Sequence, residues 1–188
     1  MLERLRYSPN FLNEPVSTCE CLLLFLVASC GHQVALLSNL PDSSLSVSSE
    51  LHPLTHSRLR NTAGAWTADV TAPGDIWIQA DLGYAFTLET VAVQGHAINQ
   101  EWVTSFSLRF GDVSSLYDVI DASGSAVVFA GNSDATSVVE HLLTGVRARV
   151  LRLKVHEYFG APSLRWEVYG CLQGELSDGN ICCKYFNL

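Results

Sequence analysis

Trp77-Ile78-Gln79-Ala80-Asp81-Leu82-Gly83 is the stretch on which the fold turns. Apolar and polar residues alternate along it, and a glycine stops it. A period of two over this length describes a strand with one buried face. The same style of segment recurs on both sides. Residues 45–48 (LSVS) alternate apolar and polar, and residues 87–93 (TLETVAV) end at Gln94-Gly95. Residues 103–110 (VTSFSLRF) stop at Gly111-Asp112, and residues 126–129 lead into Gly131-Asn132. Residues 149–155 (RVLRLKV) and 164–169 (LRWEVY) complete the set. Short strands at regular spacing, with no long helical period, predict an all-β antiparallel sandwich or barrel. Residues 137–143 (SVVEHLL) could make a helical turn, but their neighbours point to a loop crossing.

Composition narrows the function. The chain has 188 residues, 48% hydrophobic and 16% charged, enough apolar material for a core and too little charge for a disordered tail. A formal net charge of −8 leaves no excess of Lys and Arg to neutralise phosphates, so nucleic acid is not an expected partner. The run CLLLFLVA at 21–28 is far shorter than the roughly 20 residues that span a bilayer, so no transmembrane segment is expected. Its length suits the core of a signal peptide, with Val27-Ala28-Ser29 as small residues for cleavage. Residues 1–29 are therefore read as a leader, although Glu3, Glu14 and Glu20 make it less basic than such leaders usually are. The six cysteines, 19, 21, 30, 171, 182 and 183, sit only at the two ends. They lack the paired spacing of a zinc site.

The order of motifs resembles the discoidin domain, also called the coagulation factor V/VIII type C domain. Cys30 opens the span, followed by Leu40-Pro41-Asp42-Ser43 and Leu45-Ser46-Val47-Ser48-Ser49. Ser57-Arg58-Leu59-Arg60-Asn61, Gly64-Ala65-Trp66-Thr67-Ala68 and the Trp77–Gly83 strand come next. Glu101-Trp102-Val103-Thr104-Ser105-Phe106, Phe129-Ala130-Gly131-Asn132-Ser133-Asp134 and Ala148-Arg149-Val150-Leu151-Arg152 follow. Leu164-Arg165-Trp166-Glu167-Val168-Tyr169-Gly170-Cys171 closes it. The resemblance implies a jelly-roll-like sandwich of eight strands over residues 30–171, tied by a Cys30–Cys171 disulfide. It leaves 172–188 as a short cysteine-containing tail. A bridge of that kind forms in an oxidising compartment, which implies an extracellular, secreted protein. The resemblance also makes Trp66, Trp77, Asp81, Asn132, Arg165 and Glu167 structural residues. Arg165 and Glu167 share a strand face, so an ion pair is expected between them or with other charges at the core edge.

The residues offer no catalytic constellation. None of the six histidines (32, 52, 56, 96, 141, 156) lies in a G-x-S-x-G or H-E-x-x-H context, so the chain is not expected to be an enzyme. No cofactor is assigned. Loop calcium is a feature of carbohydrate-binding members of the family. Asp69 and Asp75 flank a loop here, but two acids do not make a site, and metal stays unassigned.

In the family, ligands meet loops at one end of the sandwich, as a rigid scaffold displaying variable loops allows. Mapped here, the first loop holds Leu51, His52, Leu54 and His56. The second runs 96–102 and holds Ile98, Asn99 and Trp102. The third runs 157–163 and holds Tyr158 and Phe159. The implied function is non-catalytic recognition or adhesion through these loops. The partner is a cell-surface or matrix protein, a glycan or an anionic phospholipid. Leu51 and Leu54 with Arg58 and Arg60 suit a lipid surface, whereas Glu101 repels one. Tyr158 with His156 and Glu157 suits a sugar platform. A different reading makes the chain a structural piece of a matrix protein, assembled through Cys182 and Cys183.

Overall fold

The computed structural model describes residues 33–171, so the leader, Cys30, Cys182 and Cys183 lie outside the described residues. Among the described residues the regular structure is nine strands and two short 3-10 turns. The strands are β1 (Val34–Ala35), β2 (Leu45–Val47), β3 (Trp66–Thr67), β4 (Trp77–Gln94), β5 (Trp102–Gly111), β6 (Leu116–Asp118), β7 (Phe129–Ala130), β8 (Val139–Phe159) and β9 (Ser163–Cys171). All strand pairs are antiparallel, in the order β1-β9-β4-β8-β5-β6. No helix among these residues is long and apolar enough to cross a membrane.

Two long strands make the sandwich. β4 and β8 pair from Trp77 opposite Lys154 to Val93 opposite Val139, with register shifts between Asp81 and Phe86 and between Leu88 and Thr90. Gly83 supplies a positive φ of 78° inside the first shift. Before it, β4 pairs with β2, and the matching half of β8 pairs with β5. After it, β4 pairs with β9. Each long strand therefore serves both layers, bending from one to the other at the irregularity. The two inner faces meet in one core. Ile78, Ala80, Phe106, Leu108, Leu151 and Leu153 belong to the first layer, and Leu88, Val91, Val93, Trp166 and Val168 to the second; each is fully buried. The alternation read from Trp77–Gly83 is the burial pattern: Ile78, Ala80 and Leu82 are buried, while Trp77, Gln79 and Asp81 are not.

Three sequence expectations change. Residues 137–143 are not a loop crossing, since β8 begins at Val139 and Val139, Glu140 and His141 pair with Val93, Ala92 and Val91. Leu142, 81% exposed, breaks the apolar alternation that would have marked the strand. Only Phe129 of the stretch 126–129 enters a strand; Ala126 makes an isolated bridge to Ile120. Arg165 and Glu167 are buried on one strand, but no ion pair between them occurs among the described contacts. The Glu167 carboxylate instead accepts from the backbone N–H groups of Leu37 (2.6 Å), Ser38 (3.0 Å) and Val168 (2.9 Å), and from the Ser38 hydroxyl. Arg165 donates to the carbonyls of Gly95 (2.6 Å), Asn61 (2.6 Å) and Ala135 (3.1 Å). A fixed fork satisfies three carbonyls at once, and a buried carboxylate takes several N–H donors. Each charge is held by backbone dipoles rather than by the other.

The remaining framework residues are anchored by side-chain contacts. Trp66 is fully buried and its indole N–H donates to Ser49 O at 3.0 Å. Asp81 receives Arg149 in a two-pronged ion pair of 2.7 and 2.8 Å. Buried Asn132 donates to Ser137 O at 2.7 Å. Trp77 stands on the outer face of the first layer beneath the Arg152 guanidinium, 4.0 Å above its ring. Cys171 ends β9.

Candidate functional site

The strand ends at one edge of the sandwich hold the three loops together. In the first loop, Pro53 precedes the 3-10 turn Leu54–His56. The N–H groups of Leu51 and His52 both reach Thr67 O, at 2.8 and 3.2 Å, which clips the loop to β3. In the second, His96 N–H donates to Glu101 O at 2.9 Å and closes a turn. The His96 ring fills that turn, its Nδ1 accepting the N–H of Ile98 at 3.1 Å and of Asn99 at 3.0 Å. The third loop follows the β5–β8 pairing of Trp102 with Phe159. Gly160 lies so close to the second loop that a Cβ there would stand 3.0 Å from Gln100 O. Its φ of 70° is a second reason for glycine.

Around His96 the loops exchange side chains. The His52 and His96 rings meet edge to face at 5.6 Å. Gly64, which has no side chain to intervene, leaves His56 Nδ1 and His96 Nε2 near the same point. A hydrogen-bonded row links the first loop to the second. His52 Nδ1 lies 3.0 Å from Thr67 Oγ1, Thr67 Oγ1 lies 2.7 Å from Ser163 Oγ, and Ser163 Oγ donates to Glu101 Oε2 at 2.9 Å.

Proton order in this row follows from counting. The Ser163 hydroxyl has one proton and gives it to the carboxylate. Thr67 must then donate to Ser163, so His52 Nδ1 must donate to Thr67. Neutral His52 thus keeps its lone pair on Nε2. His96 has the opposite tautomer, because two N–H groups donate to its Nδ1 and its proton sits on Nε2. Burial pulls the His96 imidazole below its ordinary pKa against the opposing pull of Glu101, which keeps it neutral. The edge therefore offers a donor on His96, an acceptor on His52 and a carboxylate on Glu101.

His52, His96 and Glu101 also bring ligand-type atoms within 4.8 Å of one another. Two imidazoles and a carboxylate are a transition-metal donor set rather than a calcium one. His96 does not fit that role: the nitrogen left to it carries the proton while Ile98 and Asn99 hold the other. The trio is built for hydrogen bonding. Asp69 bonds Thr71 N at 2.9 Å and Thr71 Oγ1 at 2.7 Å, and Asp75 pairs with Lys154 at 2.8 Å, so both carboxylates weighed for calcium are engaged elsewhere.

Beside the trio, the Trp102 and Phe159 rings stack at 4.4 Å with an interplanar angle of 13°. Phe159 is 54% exposed and Trp102 half-buried, so the pair shows a flat aromatic face. Leu51 and Ile98 are exposed at the same edge. Leu54 is not, since it packs on the core. Of the sugar platform read around Tyr158, His156 bonds Ser107 Oγ at 2.9 Å and Glu157 accepts from Ser105 at 3.1 Å. Those two residues serve the sheet face, and Phe159 rather than Tyr158 has the stacked partner. Sequence reading missed His96 and Glu101 as a pair. The available signal was a histidine and a carboxylate flanking one short loop, which reads equally as solvent-exposed polarity.

The F5/8 type C domain model matches residues 43–168. Hemocytin of Bombyx mori is 28% identical over 144 residues, which is 71% of this chain and 5% of hemocytin. Among solved structures, recombinant discoidin II of Dictyostelium discoideum superposes with a TM-score of 0.65 at 22% identity, over 78% of this chain and 62% of that one. The family 32 CBM from C. perfringens NanJ, solved with galactose, gives 0.52 at 15% identity, over 73% of this chain and 99% of the module. At these identities the structural likeness establishes the fold. The chain spans a small part of hemocytin and less than two thirds of discoidin II.

Proposed function

The chain belongs to the F5/8 type C domain family, and on that premise we propose that it is an extracellular, non-catalytic recognition module that binds carbohydrate at its loop edge. The observation that carries this reading is the donor, acceptor and carboxylate trio of His96, His52 and Glu101 beside the Trp102–Phe159 stack. Sugar hydroxyls both donate and accept, and the C–H face of a sugar ring packs on an aromatic face. A site with fixed donors and acceptors rejects analogues that lack a hydroxyl, because its own buried groups are then left unpaired.

A lipid surface suits this edge less well. Leu51, Ile98 and Phe159 are exposed there, but Glu50 and Glu101 lie in the same loops and disfavour anionic headgroups. The domain is taken to run from Cys30 to Cys171, with the leader before it and the tail after it. Assembly through Cys182 and Cys183 is a separate reading, and those residues lie outside the described ones.

A glycan array, followed by calorimetry with galactose as the first soluble probe, tests the proposal. Phe159→Ala and His52→Ala should each weaken the best glycan by about tenfold or more, equivalent to about 1.4 kcal/mol, while each variant still unfolds cooperatively. Silence across the array with strong binding to phosphatidylserine vesicles would overturn it.

A further inference from the structure

A second concave site lies away from the loop edge, on the outer face of the first layer. It is a half-open hollow of about 340 Å³, lined by Asp75 and Asp118 as well as by Trp77, Arg109, Arg152 and Lys154. That volume falls at the lower end of small-molecule sites, about 300–1,000 Å³.

Its charge is the unexpected part. In an acidic chain, this face gathers three cations on neighbouring strands. Arg109 of β5 and Arg152 of β8 are direct cross-strand partners, an arrangement that costs energy for like charges. Lys154 has Asp75 at 2.8 Å, and Arg109 has Asp118 at 3.3 Å. Three cations against two carboxylates leave Arg152 without an acid among the described ion pairs. Arg152 is nonetheless held in place. Its Nε donates to Gln79 Oε1 at 2.9 Å, and its guanidinium lies 4.0 Å above the Trp77 ring. Stacking and the Gln79 bond fix the plane of the fork, and the two terminal nitrogens form an edge matched to a carboxylate. Burial and the neighbouring Arg109 both push the Arg152 guanidinium below its ordinary pKa.

We propose that this cavity binds the carboxylate-bearing unit of an acidic saccharide, such as a uronic acid, with Arg152 receiving the carboxylate. The rest of the lining suits a sugar. The Ser107 hydroxyl and His156 Nε2, 2.9 Å apart, can exchange their mutual bond for sugar hydroxyls. Val128, 61% exposed at the rim, provides an apolar wall. Neither Arg152 nor Trp77 takes part in the loop edge, so the two sites stand or fall separately.

The test is calorimetric titration of the full chain with a uronic-acid oligosaccharide, its carboxyl-reduced counterpart and a glutamate-rich peptide. The acidic sugar should bind at least tenfold tighter than both controls. Arg152→Gln should abolish that preference, Arg152→Lys should restore part of it, and galactose titrated into the same variants reads the loop edge on its own. Val128→Glu is a second variant at an exposed position, and its added carboxylate should compete with the sugar and weaken binding similarly. Equal affinity for acidic and neutral sugars, or for the peptide, would overturn the proposal. So would full binding by both Arg152→Gln and Val128→Glu.

Discussion

His96 has its titratable ring locked into a turn whose geometry requires the neutral form. Protonating Nδ1 would set an N–H against the donors of Ile98 and Asn99. Burial already holds its pKa below 6.5, the ordinary value. A depressed histidine binds fewer protons in the folded state than in the unfolded one, so its contribution to stability is complete above pH 6.5 and is lost as pH falls toward the folded value. Wild-type thermal stability should therefore decline on going from pH 8 to pH 5. His96→Asn keeps an acceptor for the two N–H groups and removes the titration, so its melting temperature should change less over that range. Parallel curves for the two proteins would show that His96 does not control this region. This role was not legible in the sequence. Nothing near His96 announces a turn closed by Glu101, and the charges of Arg165 and Glu167 likewise suggested a mutual pair. Their true partners are carbonyls and N–H groups of distant segments, and backbone groups leave no mark in a residue string.

Strands were readable wherever their own residues alternate, as in Trp77–Gly83, and unreadable where a partner imposes the strand. Val139–His141 is such a case: its pairing with Val91–Val93 is long-range and its outward Leu142 disguises the period. The turn after β7 adds a constraint of the same non-local kind. Gly131 passes against β5, with its N–H on Thr104 O at 2.7 Å. A Cβ there would meet Val103 O at 2.3 Å, a backbone atom that cannot swing aside. Gly131→Ala should cost about 1–3 kcal/mol in chemical denaturation, the range for overpacking. Gly124 is the control, because its added Cβ meets nothing within 4 Å and only its φ of 83° opposes the change, for about 1–2 kcal/mol. If Gly131→Ala cost less than Gly124→Ala, close approach of β7 to β5 would not be what that glycine serves. Phe129, stacked on Phe106 at 5.4 Å, would then be the main tie of β7 to the core.

For the molecule as a whole, what remains is how its ends are held. β1 places Val34 opposite Gly170 and Ala35 opposite Tyr169, so the chain enters the sandwich beside the strand on which it leaves. Cys30 precedes that entry by a few residues, and Cys171 directly follows Gly170. The proposed Cys30–Cys171 bridge would close a loop the length of the domain, worth about 5 kcal/mol on the chain-entropy view. Domains of this kind have total stabilities of about 5–15 kcal/mol, so its loss would consume a third or more. Cys30→Ser should lower the denaturation free energy by several kcal/mol and steepen the slope, because the uncrosslinked chain opens further on unfolding, and reductant should add nothing further to that variant. Cys182→Ser and Cys183→Ser should leave the midpoint where it was, and should show on non-reducing gels whether the tail links chains. If the tail variants rather than Cys30→Ser moved the midpoint, Cys171 would pair with the tail. The short β1–β9 ladder would then have to hold the entering strand without a covalent tie.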